Sequence, residues 1–192
     1  MDVETMPQLL GIGYEVFMIA LAFITYFMLD IKTRYYLIHV ATLMLLTEIW
    51  GQNAGIATYN QGIFSLYLVG TPVVMPFSWF ALIGLAIIAS KGYLSYLRAF
   101  TAGIFLDLLL ELPMVYNGAW SNNFGNIHIV EGYPVILPFL YGFYILWFKL
   151  LLKYLVPKLE ERKIEPAGLL FAFIYIPSQL IISALLITLI PI

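Results

Sequence analysis

Residues 70–77 and 132–139 of this chain follow one pattern. Gly70, Pro72, Val73, Pro76 and Phe77 are answered by Gly132, Pro134, Val135, Pro138 and Phe139, 62 positions later. Upstream, Glu48, Gly55 and Asn60 are answered by Glu111, Gly118 and Asn123, 63 positions later. One single-residue gap brings the two registers together. Each copy, about 44–90 and about 107–152, reads the same way: an apolar helix, an acid near its end, a loop rich in Gly and Asn, then a helix opened by Pro. A chain built this way is expected to repeat one supersecondary unit and bury the two copies against each other.

The environment of those acids follows from composition. Of 192 residues, 62% are hydrophobic and 10% charged, against roughly 45–50% and about 25% in soluble domains. The mean hydropathy is +0.94. The expected class is an all-α membrane protein, a single integral domain over residues 1–192. Six spans can be drawn at 9–29, 35–50, 72–90, 94–112, 133–154 and 167–190, since about 17–25 apolar residues cross a bilayer as a helix. The second is short and is free to extend into the loop that follows. The acidic N-terminal stretch lacks the basic region of a signal peptide, so the first apolar run is expected to be retained. With no cysteine in the sequence, disulfide and thiolate chemistry are excluded.

Charge orients the spans. Lys32 and Arg34 fall between the first and second, and Lys91 and Arg98 around the start of the fourth. Lys149, Lys153, Lys158, Arg162 and Lys163 surround the end of the fifth. The loops at 51–71 and 113–132 contain no Lys or Arg. The positive-inside rule then puts both loops and both termini outside a multi-pass protein of the cell membrane. Spans 2–3 and 4–5 run in parallel, so the expected relation between the copies is a rotation about the membrane normal. Spans 1 and 6 are expected beside this four-helix centre. Each outer loop is about 20 residues long, and structureless loops of that length are uncommon. They are expected to fold over the mouth of the bundle as short helices or a lid.

Four acids lie within spans: Glu15, Glu48, Asp107 and Glu111. Ionisable groups in apolar segments are costly and mark functional sites by default. Asp107 and Glu111 are four residues apart, on one helix face, and Glu48 ends the second span in the matching place. Interfacial or loop-capping roles are the bland alternative. A carboxyl group in apolar surroundings without a counter-cation favours its neutral form, and a neutral carboxylic acid can deliver a proton. The candidate catalytic residues are therefore Asp107, Glu111 and Glu48, with Asp107 placed deepest.

Aromatic residues gather at the same level: Trp50, Tyr59, Tyr67, Trp79, Tyr116, Trp120, Tyr133 and Tyr141. An interfacial belt explains such residues; a cavity wall able to stabilise a carbocation by cation–π attraction is the sharper reading. Trp50, Tyr59, Trp79, Tyr116, Trp120 and Tyr141 are the candidates for substrate contact. Asn60 and Asn123, which recur between the copies, are candidates to orient an acid or a water. His39 is expected to hydrogen-bond between helices, and Pro177 to kink the last span. No His/carboxylate spacing suggests a metal, and no glycine-rich phosphate loop, Ser/His/Asp order or aspartate-rich diphosphate site is present, so no metal and no cofactor are expected. No basic cluster suggests nucleic acid. A retinal Schiff base is excluded, because span 6 has no Lys.

The segment from Asp107 through Glu111, Pro113, Met114, Val115 and Gly118 to Trp120 resembles the conserved segment of the carotenoid 1,2-hydratase family of membrane proteins. Glu48, Gly51, Gly55 and Tyr59, followed by Gly70 and Pro72, resemble that family's other copy. The likeness covers roughly residues 44–145. It departs at Leu106, where the family has Trp, and at Leu112, which separates Glu111 from Pro113. The resemblance implies addition of water to a terminal isoprenoid double bond. Small integral-membrane terpene cyclases, a more distant likeness, also start their chemistry from acidic residues. The expected function is protonation of an isoprenoid C=C to a carbocation, quenched by water in a hydratase or by ring closure in a cyclase. The expected partners are a hydrophobic isoprenoid substrate and the lipid bilayer. The alternative is a small transporter or lipid-binding membrane protein without catalysis.

Overall fold

The computed structural model describes residues 5–91, 95–163 and 166–189 and is mostly helical. The ends expected at Leu94 and Ile190, and the first residues of the acidic N-terminal stretch, lie outside the described residues. The long helices are α1 (Thr5–Met28), α2 (Ile31–Asn53), α3 (Met75–Ala89), α4 (Ser95–Leu110), α6 (Leu137–Tyr154) and α8 (Ala167–Leu189). Two short helices, α5 (Leu112–Tyr116) and α7 (Val156–Glu161), extend α4 and α6.

Among the described residues, four stretches are long and apolar enough to cross a membrane: Gln8–Met28, Ser95–Tyr116, Leu137–Glu161 and Ala167–Thr188. The helix α2 has the length, 23 residues, but carries Lys32, Arg34 and Glu48. The helix α3 is apolar but has only 15 residues, about 22 Å at 1.5 Å per residue.

Local sequence sets the boundaries. Asp30 caps α2, its Oδ1 accepting the Thr33 N–H at 2.9 Å and its Oδ2 the Thr33 hydroxyl at 2.7 Å. Pro76 and Pro138 sit in the first turns of α3 and α6, where a missing N–H costs nothing. Pro113 lies inside what would otherwise be one continuous helix. It removes a donor and crowds the preceding turn, so α4 stops at Leu110 and α5 restarts at Leu112. The second expected span runs past Trp50 to Asn53, as its length required.

The helix α4 packs along α6 at a glycine-to-glycine crossing. A Cβ on Gly103 would stand 2.8 Å from the Gly142 Cα, and one on Gly142 would stand 2.8 Å from the Phe100 carbonyl oxygen. Small residues allow this approach. The helix α1 packs on α3, where Gly84 receives Thr25. The helix α3 also packs on α4, whereas α8 packs on both α2 and α6 and stands between them.

The expectation of short helices over the bundle mouth holds only for the single turn of α5. The loops instead form three two-stranded antiparallel ladders. β1 (Ala57–Tyr59) pairs with β4 (Trp120–Asn122), β2 (Tyr67–Leu68) with β3 (Thr71–Pro72), and β5 (His128–Val130) with β6 (Tyr133–Pro134). Gly55 and Gly118, both at φ 72°, and Gly70 and Gly132, at 82° and 79°, supply the left-handed turns.

The β1–β4 ladder joins the two loops through matching bonds. Ala57 faces Asn122, Thr58 faces Ser121 and Tyr59 faces Trp120. The Asn60 N–H donates to Ala119 O at 2.9 Å and the Asn123 N–H to Ile56 O at 2.7 Å. The side chains do likewise: Asn60 Nδ2 donates to Gly118 O at 3.3 Å and Asn123 Nδ2 to Gly55 O at 3.1 Å. Each loop is thus latched by the asparagine of the other.

The opposite end of the bundle holds the basic residues. Lys32 pairs with Glu160 at 2.7 Å, and Lys149 Nζ donates to Ser90 O at 2.6 Å, closing the end of α3.

Candidate functional site

A largely apolar cavity of about 300 Å³ lies under the β1–β4 ladder. Its walls come from α1 (Tyr14, Met18), α2 (Met44, Glu48, Trp50), α3 (Ser78, Trp79, Leu82), α4 (Leu110), α6 (Leu140, Tyr141, Tyr144) and α8 (Gln179, Leu180, Ser183), with Glu111 at the α4–α5 joint. Tyr59, Trp120 and Asn122 of the ladder close the top.

Two carboxyl groups reach this cavity. Glu48 lies in α2, a little over one turn before its end, and both its oxygens are engaged. The Tyr59 hydroxyl donates to Oε2 at 2.6 Å and the Trp79 indole N–H to Oε1 at 2.7 Å. Glu111 sits where Pro113 interrupts the helix. The Tyr141 hydroxyl donates to its Oε1, and the Trp120 indole N–H is a second, weaker donor to the carboxyl. Trp79 and Tyr141, which bind the two acids, stack with ring centroids 5.0 Å apart and planes 4° from parallel. Burial, reinforced by the neighbouring Glu48 carboxyl, pushes the Tyr59 hydroxyl well above its ordinary pKa. Tyr59 therefore remains a hydrogen-bond donor.

Asp107 is placed differently from the other two acids. It is fully buried and does not line the cavity. The Tyr133 hydroxyl donates to its Oδ2, and its Oδ1 has no partner. Its backbone carbonyl accepts the Glu111 N–H at 2.8 Å, which sets Glu111 one turn above it. Glu15 also faces away from the cavity, accepting the Ser65 N–H at 3.0 Å and the Ser65 hydroxyl at 2.5 Å. It caps a loop, the bland role open to all four acids.

Among the aromatic candidates, Trp50, Tyr59, Trp79, Trp120 and Tyr141 line the cavity. Tyr116 does not: it is 76% exposed at the end of α5. Asn60 and Asn123 also lie outside the cavity, on an outer cleft above the ladder, and their amides are spent on the interloop latch. His39 bonds through Nδ1 to Tyr35 O of its own helix at 2.8 Å. Its ring lies against Gly168 of α8, so that face is a packing contact and not a hydrogen bond between helices. Among the described residues no group of His, Asp and Glu has the arrangement of a metal site.

Several cavity residues had no sequence signal: Tyr14, Ser78, Tyr144 and Ser183. Tyr14 donates to Ser78 Oγ at 3.3 Å, and Tyr144 meets Ser183 Oγ at 2.7 Å. Tyr14 and Ser183 reach the acids only through the packing of α1 and α8, whereas Ser78 precedes Trp79 on α3 and Tyr144 follows Tyr141 by one turn on α6. Gln179 was visible only as the polar residue two positions after Pro177.

Neither a family model, nor a curated protein, nor a solved structure matches the chain. The reading of its chemistry rests on this cavity.

Proposed function

We propose that the chain is a multi-pass membrane enzyme that protonates an isoprenoid C=C and directs the resulting carbocation. The observation that carries this is the placement of Glu48 and Glu111 on one apolar cavity, each held by one ring of the stacked Trp79–Tyr141 pair. An apolar pocket with a few convergent polar groups is the usual form of a binding site for an apolar ligand. About 300 Å³ suits the end of a polyprene and not its whole length.

Glu111 is the proton donor in this reading, because its carboxyl lies on the cavity wall at the joint between α4 and α5. Its O–H bond breaks as a C–H bond forms at the less substituted alkene carbon, leaving a tertiary cation and the Glu111 carboxylate. Trp79, Tyr141 and Trp120 present π faces to that cation. Glu48, braced on both oxygens, supplies a fixed negative dipole or charge opposite the developing positive charge. Water then adds to the cation and loses a proton to the Glu111 carboxylate, which restores the acid and completes hydration. In the cyclase form an internal alkene closes the ring, and loss of a proton to the same carboxylate ends the reaction. Asp107, buried beneath Glu111, acts as a positioning residue.

The accompanying architecture is six membrane-crossing helices, with α2–α3 and α4–α6 related by a two-fold axis along the membrane normal. The matching interloop bonds, the paired acids and the paired Trp79 and Tyr141 support that relation. The one-sided distribution of Lys and Arg supports termini on the outside.

The test is production of the chain in a host that accumulates acyclic carotenoids, with wild type and Glu111→Gln compared in D2O. The expected result is deuterium on carbon and a hydrated or cyclised product with wild type, and neither with Glu111→Gln. Bound lipid with no deuterium transfer would favour the non-catalytic alternative.

A further inference from the structure

The polar wall of the cavity opposite the ladder is unfinished. Gln179 of α8 is 3% exposed, lines the cavity, and its Oε1 accepts no hydrogen bond. Beside it, Ser183 Oγ donates its single proton to the Gln179 backbone carbonyl at 2.8 Å. A serine hydroxyl has one proton to give. The Tyr144 hydroxyl, 2.7 Å from Ser183 Oγ, must therefore be the donor in that pair. The Gln179 side chain also meets the Tyr144 hydroxyl; with its amide nitrogen turned to that oxygen, Oε1 is the atom left without a donor. On the ladder side of the same cavity Asn122 Nδ2 is a buried donor without an acceptor.

Buried polar atoms without partners are rare and call for a bound group. An unpaired acceptor requires an O–H or N–H, and an unpaired donor requires a lone pair. Water offers both, and a hydrocarbon substrate offers neither. Tyr144 places this wall next to the reacting centre, since its ring lies 5.6 Å from that of Tyr141 and 6.1 Å from that of Trp79.

We propose that Gln179 binds a water molecule inside the cavity and holds it as the nucleophile that captures the carbocation. The proposal rests on the proton-transfer reading above and selects hydration over cyclisation. The Gln179 carbonyl accepts one water O–H, which turns an oxygen lone pair away from Gln179 and toward the cation. Capture forms a C–O bond, and the surplus proton passes to the Glu111 carboxylate, so no further reactant is needed. Gln179 is a positioning residue for the water.

Two measurements test it. The first is an experimental structure of the full chain in lipid, without substrate, at a resolution that reveals ordered water. A solvent peak within hydrogen-bonding distance of Gln179 Oε1 is expected. A dry wall there overturns the proposal, as does a site filled only when an alcohol is added. The second uses an acyclic carotenoid in D2O with wild type, Gln179→Leu and Gln179→Glu. Gln179→Leu should lower the share of alcohol among deuterated products by about five- to tenfold, the scale of one lost hydrogen bond, while deuterium still enters carbon. Gln179→Glu, which keeps an acceptor oxygen, should restore most of the alcohol. An unchanged alcohol share in Gln179→Leu overturns the proposal. Wild type that transfers no deuterium refutes the proton-transfer reading, and the solvent peak then still decides whether Gln179 binds water.

Discussion

Trp79 and Tyr141 lie face to face, 5.0 Å between ring centroids, and each holds the carboxyl group of a different acid. They are 62 positions apart in sequence, the spacing that separates Pro76 from Pro138. The stack therefore ties Glu48 and Glu111 to one rigid element, and changing either ring should be felt at its own acid first.

Trp79→Phe and Tyr141→Phe keep an aromatic face while deleting the hydrogen bond to the carboxyl. Such a bond is worth about 1.5–3 kcal/mol when one partner is charged, so turnover should fall about tenfold to a hundredfold. Tyr141→Phe should cost more, because Glu111 is left with only the weaker Trp120 contact, whereas Glu48 keeps Tyr59 at 2.6 Å. Steady-state product formation by each variant, with a thermal melt to confirm folding, is the check. Equal activity in both variants and wild type would remove the pair from the mechanism.

Glu111→Gln should abolish turnover by at least roughly a hundredfold, the lower range for general acid catalysis, with the melt unchanged. Tyr133→Phe should act in the opposite way. It leaves buried Asp107 with no hydrogen bond on either oxygen, so stability should drop by about 1–3 kcal/mol and show in the melt. If Asp107→Asn proves more damaging to turnover than Glu111→Gln in folded protein, the donor is Asp107.

Gly103→Ala should destabilise the protein by about 1–3 kcal/mol through overpacking. The new methyl would meet the Gly142 Cα at 2.8 Å and the Tyr141 carbonyl at 2.9 Å, and backbone atoms cannot swing away. Gly13, whose Cβ would meet nothing within 4 Å, is the control, and Gly13→Ala should melt as wild type does. Melting in matched detergent separates the two.

Asp30 gives a pH dependence. Partial burial raises its pKa, but the hydrogen bonds from the Thr33 N–H and hydroxyl outweigh this and hold the carboxyl below its usual range. A group lowered on folding stabilises the fold above its unfolded pKa, about 3.9 for Asp, and that contribution is lost as pH falls through the folded value. Asp30→Ala should cost about 1 kcal/mol near neutral pH, as for other N-caps, and the difference from wild type should shrink on acidification. A constant difference across a series of melts from neutral pH to about pH 3 would rule out the ionised cap.

The helices and the two cavity acids were legible because their signals are local. Long apolar runs mark the helices, and Glu48 and Glu111 stand out against apolar neighbours, but the starts expected at 72 and 133 fall in β3 and β6, and α3 and α6 begin at Met75 and Leu137. The ladders were not legible. Strands of two or three residues have no periodicity of their own, and β1 and β4 exist because the other loop supplies their partner. For the same reason Asn60 and Asn123 were read as groups aimed at a ligand, when the repeat in fact preserves a mutual latch. Asp107, expected as the deepest of the three candidate acids, is fully buried. Its depth carries it past the cavity, into contact with Tyr133. Gln179 and Ser183 are not legible as cavity residues, because no rule of sequence spacing states that α8 will stand between α2 and α6.

That placement of α8 has a kinetic consequence. The latched ladder is a lid with no independent halves, so neither loop can lift without breaking bonds to the other. The seam of α2 and α8 is different: Trp50, at 54% exposed, and Leu180, at 36%, border the cavity and the outer surface of the bundle together. If the chain spans a bilayer as proposed, a ligand dissolved in the hydrocarbon phase would meet that seam by diffusing in two dimensions. Saturation would then follow the mole fraction of ligand among the lipids, and diluting the bilayer with inert lipid would slow the protein at constant total ligand.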